Sequence, residues 1–164
     1  MSPSSPFAPA AHTLGAAQLR PLAGPDIGPL SRACAAIDPF CRLGYSAEGL
    51  DRYLRRADAH LHRHAIVAAG EVAGVLAVRF PWLRGPFIEM LALLPAAQGN
   101  GLGRAVVTWV TDRAEEANVW STVSDFNSGG RRFYARLGFA EVAPLAGLLA
   151  AGGDEILLRR AAGR

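Results

Sequence analysis

The sequence predicts an α/β (α+β) protein built on one mixed sheet of six to seven strands, mostly antiparallel and partly parallel. Three observations carry that expectation. Apolar, β-branched runs alternate with segments of helical period. The turn at Gly70-Glu71 joins two of the early runs as a hairpin. Later, the run Phe87–Leu93 is followed by a helical segment and then by Val119–Val123, which is a β-α-β crossover and demands a parallel pair. With 164 residues, 51% of them hydrophobic, the chain can bury the core of a single domain.

The elements follow in order. Residues 1–14 are expected to form a disordered leader, and 15–164 the domain. Met1 to Ala11 carries Pro3, Pro6 and Pro9, no basic residue and no apolar segment, which also excludes a secretory signal. Gln18–Leu22 suits a first strand, stopped by Pro21 and the Gly24-Pro25 turn. Asp26 can cap a helix to about Ile37, with Ile27, Leu30, Cys34 and Ile37 on one face, and Ser46 a second helix to about Asp58. Strands are expected at His64–Ala68, Val72–Phe80, Phe87–Leu93, Val119–Val123, Phe139–Val142 and Glu155–Arg159. Phe87–Leu93 is apolar almost throughout, as a strand covered on both faces would be. Helices are expected from Gly101 to Ala117 and from Ser128 to Leu137, with Gly138 as C-cap, and one helical turn within 144–151.

Composition narrows the function. No apolar run reaches the roughly 18–20 residues of a membrane span. Cys34 and Cys41 lack the spacing of a redox or metal pair and read as reduced, buried thiols of a cytoplasmic protein. All 17 basic residues are Arg, and they are scattered, which argues against nucleic acid despite the net charge of +3. His60, His62 and His64 would share one strand face, but the segment reads as a connection entering a strand, and no metal site is expected.

The chemistry concentrates in Gln98-Gly99-Asn100-Gly101-Leu102-Gly103-Arg104. Three glycines bare the backbone N–H groups at the start of a helix, where the donors are unpaired and the dipole is positive, so the stretch is a phosphate cradle with Arg104 beside it. Its spacing fits neither the dinucleotide fingerprint nor the nucleotide-triphosphate loop. It does fit Q-x-x-G-x-G. A second motif begins 24 residues after Gly103: Asn127-Ser128-Gly129-Gly130-Arg131-Arg132-Phe133-Tyr134-Ala135-Arg136-Leu137-Gly138-Phe139. Together the two motifs resemble the coenzyme A loop and the late helix of GNAT-type N-acetyltransferases, and the resemblance covers residues from about 64 to the C-terminus.

The resemblance implies a GNAT-like sheet with helices on both faces, splayed where acetyl-coenzyme A binds. It implies acetyl transfer from acetyl-coenzyme A, as cosubstrate, to a primary amine of a small molecule or peptide. Gln98 to Arg104 (Gln98, Gly99, Asn100, Gly101, Leu102, Gly103, Arg104) would hold the diphosphate, Leu91, Ala92 and Leu93 would pair with the pantetheine arm, and Asn127 would contact it. Tyr134 would serve the departing thiolate, unless it is only a core aromatic. Asn100 stands where the family often carries Lys or Arg; Arg104 or Arg131 could take over that contact. The base is open between Glu89, whose burial in an apolar strand would raise its pKa, Asp125, and a water chain. Phe40, Tyr45, Tyr53 and Trp82 would line the acceptor pocket. Dimers are common in such a family, with the terminal strand as a candidate edge. Two rivals stand beside this reading: a non-catalytic acyl-coenzyme A binding module, and an enzyme acting on aminoacyl transfer RNA.

Overall fold

The tight turn at Ala69 and Gly70, both at positive φ (+50° and +79°), folds β3 (Leu61–Ala68) onto β4 (Glu71–Trp82) as a hairpin at the centre of one sheet. The computed structural model describes residues 5–149 and 153–163. Outward from the hairpin lie β2 (Ala17–Pro21) and β1 (His12–Leu14) on one side. On the other lie β5 (Gly85–Leu93), β6 (Val119–Ser124), β8 (Glu155–Arg160) and, at the edge, β7 (Ala140–Leu145). Every neighbouring pair is antiparallel except β5 and β6.

Alternation along β4 builds two cores, one on each face. Val75 and Ala77 point to the face covered by α1 (Gly24–Ala35) and α2 (Ala47–Arg55), where Ile27, Leu30, Cys34, Leu50 and Leu54 meet them. Leu76 and Val78 point to the face covered by α3 (Leu102–Arg113) and α4 (Ser128–Arg136), against Val106, Val107, Val110 and Tyr134. Ser46 caps α2 as expected, its Oγ accepting from the Gly49 amide at 3.0 Å, whereas α1 begins at Gly24 with Ala23 as its N-cap, so Asp26 is not the cap but the third helical residue, whose carboxylate accepts from the Ala23 amide at 2.9 Å.

The structure corrects four expectations. The disordered leader does not hold for residues 5–14, whereas residues 1–4 lie outside the described residues. Phe7 is 0% exposed, its ring set against Phe80 (5.3 Å) and Trp109 (6.0 Å), and β1 supplies an eighth strand. Proline-rich composition hid a single aromatic anchor. The helical turn at 144–151 is instead the end of β7 and a turn, with 150–152 outside the described residues. Cys34 is buried, which pushes its thiol up to about 11, but Cys41 is exposed. Trp82 is no pocket aromatic: it stacks on Phe87 at 4.6 Å and stands edge-on to Trp120 at 5.6 Å.

His62 and His64 lie on β3. His64 is fully buried, and its Nε2 pairs with the Phe7 carbonyl at 3.1 Å, tying the N-terminal segment to the sheet. Among the described residues no group of three His, Cys, Asp or Glu is placed to hold a metal ion. Burial pushes the His64 imidazole down to about 4, with the Phe7 carbonyl opposing that shift. The unfolded chain takes up this proton near pH 6.5 and the folded chain only near 4, so stability is full above 6.5 and falls as the pH drops through that window. Acid denaturation curves should show a loss of about 3 kcal/mol across it, and His64→Gln should flatten that slope. Phe7→Ala should cost about 3–5 kcal/mol in urea unfolding at neutral pH.

Candidate active site

The parallel strands part. β5 and β6 are partners only at Phe87↔Trp120 and Ile88↔Ser121. Beyond that point β6 stays with β8 as far as Ser124↔Glu155, and β5 stays with β4 as far as Gly74↔Leu93. The cause lies within β5. Ala77 faces Met90 and Val78 faces Ile88, so Glu89 is an extra residue, and such a bulge bends the strand and increases its twist. The bulge also resets the alternation, placing Ile88 and Leu91 on the α3/α4 face and Met90 and Ala92 on the α1/α2 face.

The gap leaves a row of backbone groups without a strand partner. The Leu94 amide donates to the Ala73 carbonyl at 2.8 Å. Backbone direction alternates, so Ala92 turns its N–H and C=O to β4, while Leu91 and Leu93 turn theirs to the gap. Of the three residues expected along the pantetheine arm, Leu91 and Leu93 therefore turn their backbone groups to the gap and Ala92 does not. The Leu93 carbonyl already accepts from Gln98 Nε2 at 2.9 Å, which fixes the start of the loop against the strand.

Past a single 3-10 turn at Pro95–Ala97, the chain enters the glycine loop. Gly99 and Gly101 take φ of +78° and +83°, and a Cβ at either would meet nothing within 4 Å, so conformation rather than space demands glycine there. At Gly103 the reason is space: a Cβ would sit 3.3 Å from the Phe133 ring and 3.4 Å from Leu93, where α3 lies close to α4 and β5. Asn100 Oδ1 takes the Leu102 amide at 3.3 Å, while the amides of Gly103 and Arg104 find no acceptor among the described residues. Arg104 is exposed and makes no ion pair among the described residues, whereas Arg131 is held by Glu141 at 2.7 Å. Arg104 is thus the side chain available to an anion at this helix start.

Tyr134 stands inside the α3/α4 core, edge-on to both Phe133 and Phe139 at 5.1 Å. Burial raises its phenol above the ordinary value, opposed by a hydrogen bond with Ser121. A phenol held protonated at neutral pH is a donor. Ser121, whose Oγ donates to the Ile88 carbonyl at 3.2 Å, is the last residue of β6 before the strands part, so Tyr134 reaches the apex of the gap. Asn127 is the N-cap of α4, and its Oδ1 accepts from the Gly130 amide at 2.9 Å.

The expectation of an isolated Glu89 is corrected. Its carboxylate is 24% exposed and receives two hydrogen bonds from Arg79, Nε to Oε2 at 3.0 Å and an NH2 nitrogen to Oε1 at 3.3 Å. Arg79 also reaches Asp58 at 3.1 Å, so one guanidinium joins the bulge to the connection between α2 and β3. Asp125 is exposed at the end of β6, where Arg131 binds its carbonyl rather than its carboxylate. Phe40 and Tyr45 pack edge-on against each other at 6.0 Å, beside this face. Arg79 was legible as the one charge in the apolar run 72–80. Buried Glu155, bonded to Ser124 Oγ at 2.5 Å, gave no sign, because nothing in a sequence shows which end of a strand faces a cleft.

Asn127→Ala should destabilise the chain by about 1 kcal/mol in denaturant titrations, whereas Asn127→Ser should keep the cap. A fall in coenzyme A affinity in Asn127→Ser, whose cap is kept, would then report a ligand contact separate from capping.

The Acetyltransferase (GNAT) family model matches residues 32–139, more than half of the chain. The streptothricin acetyltransferase of Streptomyces lavendulae is 32% identical over 80 residues, which are 46% of this chain and 42% of that protein. The chain thus matches less than half the length of this relative. A GNAT-family protein from Desulfovibrio desulfuricans superimposes with a TM-score of 0.67 at 24% identity, covering 88% of this chain and 98% of the other. A nourseothricin acetyltransferase superimposes with a TM-score of 0.57 at 23% identity, covering 63% of this chain and 66% of the other. At those identities the superpositions speak for the fold.

Proposed function

Because the chain belongs to the GNAT family of acetyltransferases, we propose that it transfers an acetyl group from acetyl-coenzyme A to a primary amine by direct attack. The observation that carries this reading is the parting of β5 and β6 directly ahead of a glycine loop with unpaired amides. The diphosphate would lie against the amides of Gly103 and Arg104, with Arg104 as counter-charge. The pantetheine arm would run along Leu91 and Leu93, completing the edge that the bulge at Glu89 left open.

In the transfer, the amine lone pair attacks the thioester carbon, a C–N bond forms, and the C–S bond breaks. A backbone N–H from Leu91 or Leu93 would stabilise the oxyanion, a contribution of a few kcal/mol where enzymes use it. The Tyr134 phenol supplies a proton to the departing thiolate. The proton lost by the amine goes to Glu89, Asp125 or water, and the Arg79 pair makes water the simplest route. The acceptor is an amine of a small molecule or peptide. Streptothricin is the first candidate to assay, since a relative carries it in its name. Among the described residues no helix is long and apolar enough to cross a membrane, which fits an enzyme acting in the cytoplasm.

Calorimetric titration with acetyl-coenzyme A tests the cradle: wild type should bind in the micromolar range, and Gly101→Val, forced to branch at φ +83°, should lose that binding. A folded wild type that does not bind would end the reading. Tyr134→Phe should keep acetyl-coenzyme A affinity and lower kcat by roughly 10²-fold, read from thiol release with streptothricin.

A further inference from the structure

Glu155 is a buried carboxylate without a cation. It is 7% exposed, one oxygen is held by Ser124 at 2.5 Å, and among the described residues no Arg or His lies within ion-pair distance of it. Desolvating an unpaired carboxylate is expensive, and folded chains do not keep one without a use or a partner. Its counterpart across the gap, Glu89, has Arg79.

Its direction follows from alternation along β8. Ile156 and Leu158 join the α3/α4 core, so Glu155 points to the opposite face, the side on which α1 and α2 pack over β3, β4 and β5. There the α1–α2 connection approaches β6 and β8. A Cβ on Gly153 would meet Leu43 at 3.3 Å, and Arg42 lies over the Phe126 ring at 3.9 Å. Burial, and after it the Glu155 charge, raise the Tyr45 phenol at the end of this connection. The one guanidinium on this connection is thus spent on an aromatic face, and the carboxylate is left for something from outside.

We propose that Glu155, oriented by Ser124, binds a second, non-reacting cationic group of the acceptor, so that the acceptor class is a diamine and not a simple monoamine. The inference rests on the acetyltransferase reading above. β8 lies one strand beyond β6, so Glu155 starts about two strand spacings, ~10 Å or more, from the β5 edge where the thioester would lie. One ammonium cannot both attack there and pair with Glu155; two cations separated by a short chain can.

The test is binding of 1,5-diaminopentane against pentylamine, by calorimetry on the full chain, with and without coenzyme A. Wild type should prefer the diamine by ~10-fold or more, and Glu155→Gln should bring the two within ~2-fold. Ser124→Ala should fall between them. Glu155→Gln should melt no lower than wild type, because it removes a desolvated charge and keeps an acceptor for Ser124. Should it melt lower, Glu155→Asp becomes the deciding variant: it retains the charge and should retain the preference. Equal binding of both amines by wild type, or a preference that survives in folded Glu155→Gln, overturns the proposal. Failure of coenzyme A to bind would instead strike the acetyltransferase reading, because diamine preference is read independently of it.

Discussion

One inserted residue governs this fold. Glu89 is the residue of β5 without an opposite number on β4, and from that point β5 leaves β6. A parallel pair held to its end would have closed the sheet with backbone hydrogen bonds, and there would be nothing to bind. Because the strands part instead, Leu91 and the Leu93 amide are left without a strand partner at the rim of a core, a cost that a ligand with its own amides can remove. The same bulge shifts the side-chain parity, so the residues before and after it fill different cores.

The remaining elements hold that opening in place. On one face α3 and α4 approach each other over Gly103, which brings the cradle to the end of β5 and the Tyr134 phenol to the apex. On the other face Arg79 ties the bulge to Asp58 in the connection after α2. At the joined end, Trp82, Phe87 and Trp120 form an aromatic cluster that keeps the strands together up to the branch point. Such a cluster packs a large apolar area where the sheet must not open, and leaves the open end to polar contacts.

Much of this was legible in the sequence, and the reasons are local. The glycine loop is written in consecutive residues, as is the cap at Ser46, so spacing alone exposes them. The two faces of β4 follow from parity. What stayed hidden depends on pairing between distant segments. The bulge at Glu89 is a mismatch of register, invisible without the partner strand. Phe7 becomes a core residue only because Phe80 and Trp109 leave a slot for it, and Trp82 reads as a loop aromatic until Phe87 and Trp120 are beside it. Arg79 was visible as a charge, but its grip on Glu89 was not.

The two acidic residues facing the α1/α2 side show how environment divides one chemical type into two roles. Glu89 has its charge answered within the chain by a guanidinium that also serves Asp58, an arrangement that fixes geometry and leaves little for a ligand. Glu155 has a hydroxyl on one oxygen and, among the described residues, no cation in ion-pair distance. A carboxylate answered from within builds the site, and one left unanswered selects what enters it. On that proposal acceptor selectivity would reside on β8, two strands from the β5 edge along which the transfer would take place.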